Sequence, residues 1–392
     1  MIVLGICDNI DSGAVLIKDK RILTAINEER LTREKLCVGF PEKSIRHIIK
    51  TTKINPSKID KVCIASKITP GLIFRIIPNS YKILKKDYSE FNSLDDLNTL
   101  LSIFSRKTNL IKIQSNLAKS FMNNKLKKSG IGSQVHLIDH HTAHAYSGFF
   151  TSPFKKALIF TIDGIGDGLS GTVNIGEKNS IKKIHEINGL NSPGLFYSRI
   201  TELLGYKPHR HEGKITGLAA HGDPEKTIGK ISRLLYLKNN MIKAENNLFF
   251  RKKDKGIYKK LQRYDPEDVA AGAQTQLEKV ICNFILYWID ITNIHNICLA
   301  GGVFANVKLN QKIHELSGVN NIYVYPHMGD GGLAMGACLS LLKRQIKLED
   351  VYLGPEFSNK KILQEIKRQN MKYKYHKNIE KQIAILLSKG KV

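Results

Sequence analysis

Short apolar runs separated by polar breaks dominate the first 65 residues, a pattern of strands more than of helices. Ile2 to Cys7 reads as a strand, and Gly13 to Ile17 with Arg21 to Asn27 as a hairpin around Lys18-Asp19-Lys20. Pro41 opens a helix running through Lys50, since a missing N–H costs nothing at the first helical position. Lys61 to Ala65 is a further strand. Residues 68–130 are basic and weakly patterned, with helical patches near Asp95 to Phe104, and read as an insertion. Val135 to Ile138 returns as a strand. The segment after it is rich in Ala and aromatics and free of proline until Pro153, which predicts a helix.

Ala157 to Ile162, Gly171 to Ile175 and Ile181 to Ile187 repeat the three-strand opening, so the chain shows two similar halves without evident sequence identity between them. Helices follow at Gly194 to Leu204 and, beyond a lysine-rich segment near 224–263, at Pro266 to Ile291, where apolar residues recur at helical spacing. Strand 296–299, a turn at Gly301-Gly302, a helix to about Ile313, strand Ile322 to Tyr325 and a helix from Gly331 to Leu342 complete the pattern. Alternation of this kind predicts an α/β protein with mixed or parallel sheets covered by helices, and a ligand cleft at the strand ends.

Asp139-His140-His141-Thr142-Ala143-His144 opens the predicted helix at 139–150. Residues four apart share a helix face, so His140 and His144 can converge on one ion. Taken alone, such a pair is more often a set of core or capping histidines. The neighbouring Ile162-Asp163-Gly164 changes that weighting. Asp8, Asp163-Gly164 and Asp330-Gly331-Gly332 each place an acidic residue at a strand end, the last two with glycines. Glycine lets backbone N–H groups approach a phosphate, and the carboxylates hold the accompanying cation. Leu299 to Asn306 adds a strand, a glycine turn and a helix start. Together these features predict a nucleotide cleft that uses Asp8, Gly164, Gly301, Gly302, Asn306 and Gly331. The run Gly164, Gly166, Gly168 is no dinucleotide fingerprint, because strand residues follow it. Glu212 to Gly222 is either a glycine-rich connection between two helices or a cleft-lining loop that brings Gly213 and Lys214 to the ligand.

Composition changes this picture little. At 392 residues, 42% hydrophobic and 24% charged, the chain has the make-up of a soluble multidomain protein. No apolar run reaches a membrane span and no signal segment precedes Asp8, so the expected location is cytoplasmic. Six scattered cysteines without a CxxC spacing read as small buried hydrophobes. The formal net charge of +26 would draw polyanions, but its lysines are dispersed and no basic stripe interleaved with aromatics accompanies them. Nucleic acid is therefore not the expected partner.

Several motifs in order along residues 2 to about 357 carry a family resemblance. Asn27-Glu28-Glu29-Arg30-Leu31-Thr32-Arg33-Glu34-Lys35 with Phe40-Pro41 resembles a signature of the nodulation-factor and antibiotic O-carbamoyltransferases. The run His140 to Ser147 with Ser152-Pro153-Phe154, and Ile162-Asp163-Gly164, resemble others. Gly194-Leu195-Phe196-Tyr197, Glu212-Gly213-Lys214 and Gly301-Gly302-Val303 with Asn306 continue the match.

The resemblance implies a two-lobed actin/Hsp70/sugar-kinase-like (ASKHA) fold, similar to that of the tRNA threonylcarbamoyladenosine transferases. The lobes would be 1–154 and 155–348, with the metal and nucleotide in the cleft between them. It implies a divalent metal, iron or else Mn2+ or Zn2+, held by His140, His144, Asp163 and Asp330. It also implies a carbamoyltransferase that takes carbamoyladenylate, made from carbamoyl phosphate and ATP, and carbamoylates a hydroxyl of a sugar or other natural product. Lys35 would be catalytic, its cation beside the carbamoyl or adenylate group.

Two departures accompany the match. Ile10-Asp11-Ser12 stands where the family reads His-Asp-Ser. Residues 349–392 would be the start of a truncated YrdC-like domain, so that the chain holds the transferase half and needs an adenylate-forming domain, in cis or as a separate polypeptide. The rival expectations are a catalytically silent nucleotide- and metal-binding subunit, and an RNA-acting relative of the threonylcarbamoyl transferases.

Overall fold

The computed structural model describes residues 1–76, 93–108, 110–245 and 256–391. Residues 77–92 of the expected insertion and 246–255 of the lysine-rich segment lie outside the described residues.

Two five-stranded sheets share one topology. In the first, β1 (Ile2–Cys7) pairs antiparallel with β2 (Gly13–Lys18), which pairs antiparallel with β3 (Arg21–Asn27). On its other side β1 runs parallel to β4 (Lys61–Ala65), and β4 parallel to β5 (Val135–Ile138). The second sheet repeats this. β6 (Lys156–Gly166), β7 (Leu169–Glu177) and β8 (Ser180–Asn188) form an antiparallel meander, and β6 runs parallel to β11 (Asn296–Ala300), which runs parallel to β12 (Asn321–Val324). This duplicated arrangement is the expected two-lobed ASKHA fold.

The strands follow from their composition. β1 is apolar on both faces because helices cover both, whereas β8, at the sheet edge, exposes Lys182, Lys183 and Glu186. The parallel steps bring the C-terminal ends of β1, β4 and β5 to one edge of the first sheet and those of β6, β11 and β12 to one edge of the second, the edges where ligand clefts form in such sheets.

A mixed apolar cluster joins the lobes. Ala143, Tyr146, Phe149 and Phe150 of the helix His140–Phe150 pack with Val3, Cys63, Ile159, Cys298, Leu333 and Leu339. The helix Leu333–Leu342 lies against both the first sheet and the histidine helix. Two glycines allow this close approach. A Cβ on Gly336 would stand 1.8 Å from the carbonyl oxygen of Ala143, and one on Gly5 would stand 2.1 Å from that of Ala334. The second lobe has its own core along the helix Pro266–Thr292, which includes Leu277, Ile281, Phe284 and Ile285.

Some expectations need revision. The insertion is more ordered than its weak pattern implied, with helices Leu72–Ile76, Ser93–Lys107 and Leu110–Lys127. Glu212–Leu218 is itself a short helix and not merely a connection, since Ile215 is buried against the core. The lysine-rich segment contributes a hairpin, β9 (Leu235–Lys238) and β10 (Met241–Ala244). Four cysteines are buried and two, Cys37 and Cys282, are half-buried.

Met1–Leu353 forms one compact unit, and Gly354–Val392 a second, containing the helices Asn359–Arg368 and Ile379–Ser388. No helix among the described residues is long and apolar enough to cross a membrane.

Candidate active site

The histidine helix starts where its sequence says it should. Asp139 caps it, its carboxylate accepting from the N–H of Thr142 at 3.3 Å. One turn separates His140 from His144, and both present Nε2 to the ends of β6 and of the turn at Asp330–Gly332. One ligating atom from each of His140, His144, Asp163 and Asp330 lies within 4.8 Å of the others. His144 Nε2 is 3.0 Å from Asp163 Oδ2 and 3.5 Å from Asp330 Oδ1. His140 Nε2 lies 3.6 Å and 3.5 Å from the same two carboxylates.

Outer partners orient these groups. His140 Nδ1 meets Ser66 Oγ at 2.9 Å, so with Nδ1 protonated and donating to Ser66, Nε2 carries a free lone pair. Asp330 Oδ2 accepts from Asn9 Nδ2 at 2.9 Å, and Asp163 Oδ1 from the N–H of Gly164 at 2.7 Å. His140 Nε2 is buried without a hydrogen-bond partner. Such an atom aimed between two carboxylates fits a cation between them, and the mixed nitrogen and oxygen donors suit iron, manganese or zinc better than calcium.

His141 is excluded from this cluster. Its Nε2 donates to the carbonyl of Leu169 at 3.1 Å and its Nδ1 meets Thr161 Oγ1 at 2.9 Å. Burial and the two neighbouring imidazoles push its pKa down to about 3, so it stays neutral. Burial opposes protonation of His140, yet the carboxylates of Asp330 and Asp163 hold its pKa above the ordinary value. Asp163, despite its burial, is held well below the carboxylate range by His140 and His144, while burial raises Asp330.

The cluster lies on one side of a cleft with a cavity volume of about 750 Å³, lined from both lobes and by the insertion. Gly164, Gly213, Gly302 and Asn306 line it; Gly301, Gly331 and Lys214 are not among its lining residues. At Gly301, φ is +102° and a Cβ would meet the carbonyl of Ile162 at 2.3 Å, so this glycine sets the turn that presents Gly302. Gly331 packs against His327 and Asn27. Elsewhere in the cleft wall, Asn306 and Gln274 exchange two side-chain hydrogen bonds at 2.8 and 3.2 Å, and Tyr197 donates to Gln274 at 2.7 Å.

Two expected residues stand elsewhere. The Asp8 carboxylate takes a two-point ion pair from Arg75 of the insertion, at 2.8 and 3.1 Å, and is not among the cleft-lining residues. Lys35 is exposed and pairs with Glu29 at 2.9 Å, although its neighbour Leu36 lines the cleft. Ser66, Asn9 and Gln274 carried no signal in the sequence, since lone Ser, Asn and Gln residues are too common to mark a site, whereas Tyr197 closes one of the family motifs.

Comparison with known proteins bears on the family of the chain. An uncharacterized protein of Methanocaldococcus jannaschii is 34% identical over 382 residues, covering 95% of this chain and 64% of that protein. Nodulation protein NolNO of Sinorhizobium fredii is 27% identical over 369 residues, covering 91% of this chain and 50% of that one. The chain thus spans between half and two thirds of these relatives' lengths. Among solved structures, T. kodakarensis HypF superposes with a TM-score of 0.53 at 14% identity, covering 88% of this chain and 49% of that one, a likeness of fold. The family model for the carbamoyltransferase N-terminus matches residues 2–339, and the chain accordingly belongs to the carbamoyltransferase family.

Proposed function

We propose that the cleft binds a divalent metal and carbamoyladenylate, and that it passes the carbamoyl group to a hydroxyl of a sugar or other small natural product. The observation that carries this reading is the unpartnered Nε2 of His140, buried between the carboxylates of Asp163 and Asp330 beside a cleft large enough for a nucleotide. Family membership supplies the reaction class. In the transfer the acceptor oxygen bonds to the carbamoyl carbon, the bond from that carbon to the phosphate oxygen breaks, and AMP and a proton are released.

His140, His144, Asp163 and Asp330 would hold the metal. When bound, it would supply Lewis-acid stabilisation of negative charge. The chain's own groups do the rest. Gly164, Gly213 and Gly302 leave room for backbone to approach phosphate, and the hydrogen-bonded Asn306–Gln274–Tyr197 group holds fixed polar atoms at the cleft wall. Lys35, exposed and paired with Glu29 next to the cleft-lining Leu36, would have to leave that pair for its ammonium to stabilise the developing oxyanion. The donor would come from carbamoyl phosphate and ATP through a YrdC-like domain, expected from residue 349 onward.

The test supplies the protein with preformed carbamoyladenylate and a panel of mono- and oligosaccharides. AMP release that depends on the acceptor, with a matching carbamate ester seen by mass spectrometry, is expected, and His144→Ala should abolish it. Acceptor-independent hydrolysis at equal rates in both proteins would refute the reading.

A further inference from the structure

Asp167 lies at the tip of the β6–β7 hairpin, four residues beyond Asp163, and is fully buried with φ +50°. It lies outside the metal cluster. Its carboxylate is surrounded by backbone donors. Oδ2 accepts from the N–H of Lys67 at 2.8 Å and of His140 at 2.9 Å, while Oδ1 accepts from Ile68 at 2.9 Å and Thr69 at 3.0 Å. Its own N–H donates to Thr69 Oγ1 at 2.9 Å. Four N–H groups on one buried carboxylate make a rigid, charge-assisted arrangement.

The two arms of this arrangement both end on His140. One is direct, through the first N–H of the histidine helix, where a negative charge is favoured. The other runs through the loop 66–69, whose Ser66 hydroxyl meets the Nδ1 of the His140 ring. Arg75 fixes the same loop from its other side, donating to the carbonyls of Ser66 and Lys67 at 2.9 Å each. The loop and the helix belong to the first lobe, whereas Asp167 shares its hairpin with the ligand Asp163 of the second. A single carboxylate therefore sets one lobe's ligand relative to the other's.

We propose that Asp167 is the positioning residue of the metal centre, fixing both the backbone and the imidazole of His140 against Asp163 without touching the ion. The proposal rests on the metal reading above. An Asp167→Asn substitution keeps the volume but removes the charge and turns one acceptor into a donor facing N–H groups.

The experiment titrates the full chain with Co2+, whose visible absorption reports its ligand set, at a temperature where circular dichroism shows each protein folded. Asp167→Asn should weaken Co2+ binding by about tenfold or more, the usual effect of losing an outer partner, and alter the visible bands. Wild-type affinity and an unchanged spectrum in the folded variant would overturn the proposal. Should Asp167→Asn fail to fold, Ser66→Ala decides, because it cuts the link between the Asp167-bound loop and the His140 ring. Unchanged affinity there overturns the proposal equally. A wild-type chain that binds no Co2+ would instead overturn the metal reading itself.

Discussion

The imidazole of His140 occupies the place where a side chain on Gly166 would begin: a Cβ there would stand 2.1 Å from both Cγ and Cδ2 of the ring. A candidate metal ligand of one lobe thus seats directly on the backbone of the strand that carries Asp163.

Gly166→Ala should therefore displace the His140 ring. Overpacking of this kind costs about 1–3 kcal/mol, and the variant should melt lower. Its metal content, by elemental analysis after dialysis, should fall well below that of wild type. Full metal content with an unchanged melting point would mean that His140 can ligate from another rotamer.

Arg75 and Asp8 form a buried ion pair, their side chains 1% and 2% exposed. Removing one partner from such a pair leaves an uncompensated charge and costs about 3–5 kcal/mol. Arg75→Met should destabilise the chain by that amount in urea, and Asp8→Leu added to it should recover part of the loss. Two independent, additive losses would show that the pair does not act as a unit.

Asp11, at the cleft wall, is pushed up to about 6 by burial and by the carboxylate of Glu29, against the opposing charge of Lys35. Between the ordinary value of 3.8 and about 6 the folded chain retains a proton that the unfolded chain has released, so stability falls as pH rises through this window. Asp11→Asn should remove that contribution, of the order of 3 kcal/mol, and Asn also tolerates the left-handed backbone at φ +53°. Denaturant midpoints of variant and wild type should converge near the acid end and separate toward neutrality, the variant being the more stable. Parallel profiles would contradict the raised pKa.

Gly213 faces open cleft, with no atom within 4 Å of a Cβ placed on it, whereas a Cβ on Gly302 would lie 2.9 Å from Asp163 Oδ1. Gly213→Val therefore separates nucleotide from metal. ATP binding by calorimetry should weaken about tenfold, one pairwise clash being worth roughly 1–3 kcal/mol, while Co2+ affinity holds. Gly302→Val should impair both. Unchanged ATP affinity in Gly213→Val would place the phosphates elsewhere in the cleft.

What was legible in the sequence was local. The strand runs from Ile2 to Cys7 and from Ala157 to Ile162, the capped helix at Asp139 and the long helix from Pro266 lie within a few residues of their expected places, because apolar periodicity and capping act between near neighbours. The spacing of His140 and His144 is equally local, being one helical turn. The family motifs extended this to a two-lobed fold and to a four-residue ligand set that the structure brings together.

Tertiary structure decided which of several like residues share a site. Asp8, Asp163 and Asp330 look alike as acidic residues at strand ends, yet Arg75 from a weakly patterned insertion takes the first and leaves the other two facing the histidines. His141 lies between two candidate ligands in sequence but points into Thr161 and Leu169, since neighbouring helix positions face about 100° apart. Asp167 belongs to no motif read from the sequence, and its four donors come from segments distant in sequence. Hydrogen bonds and ion pairs between remote segments depend on how the sheets stack, and no period in a single chain encodes that.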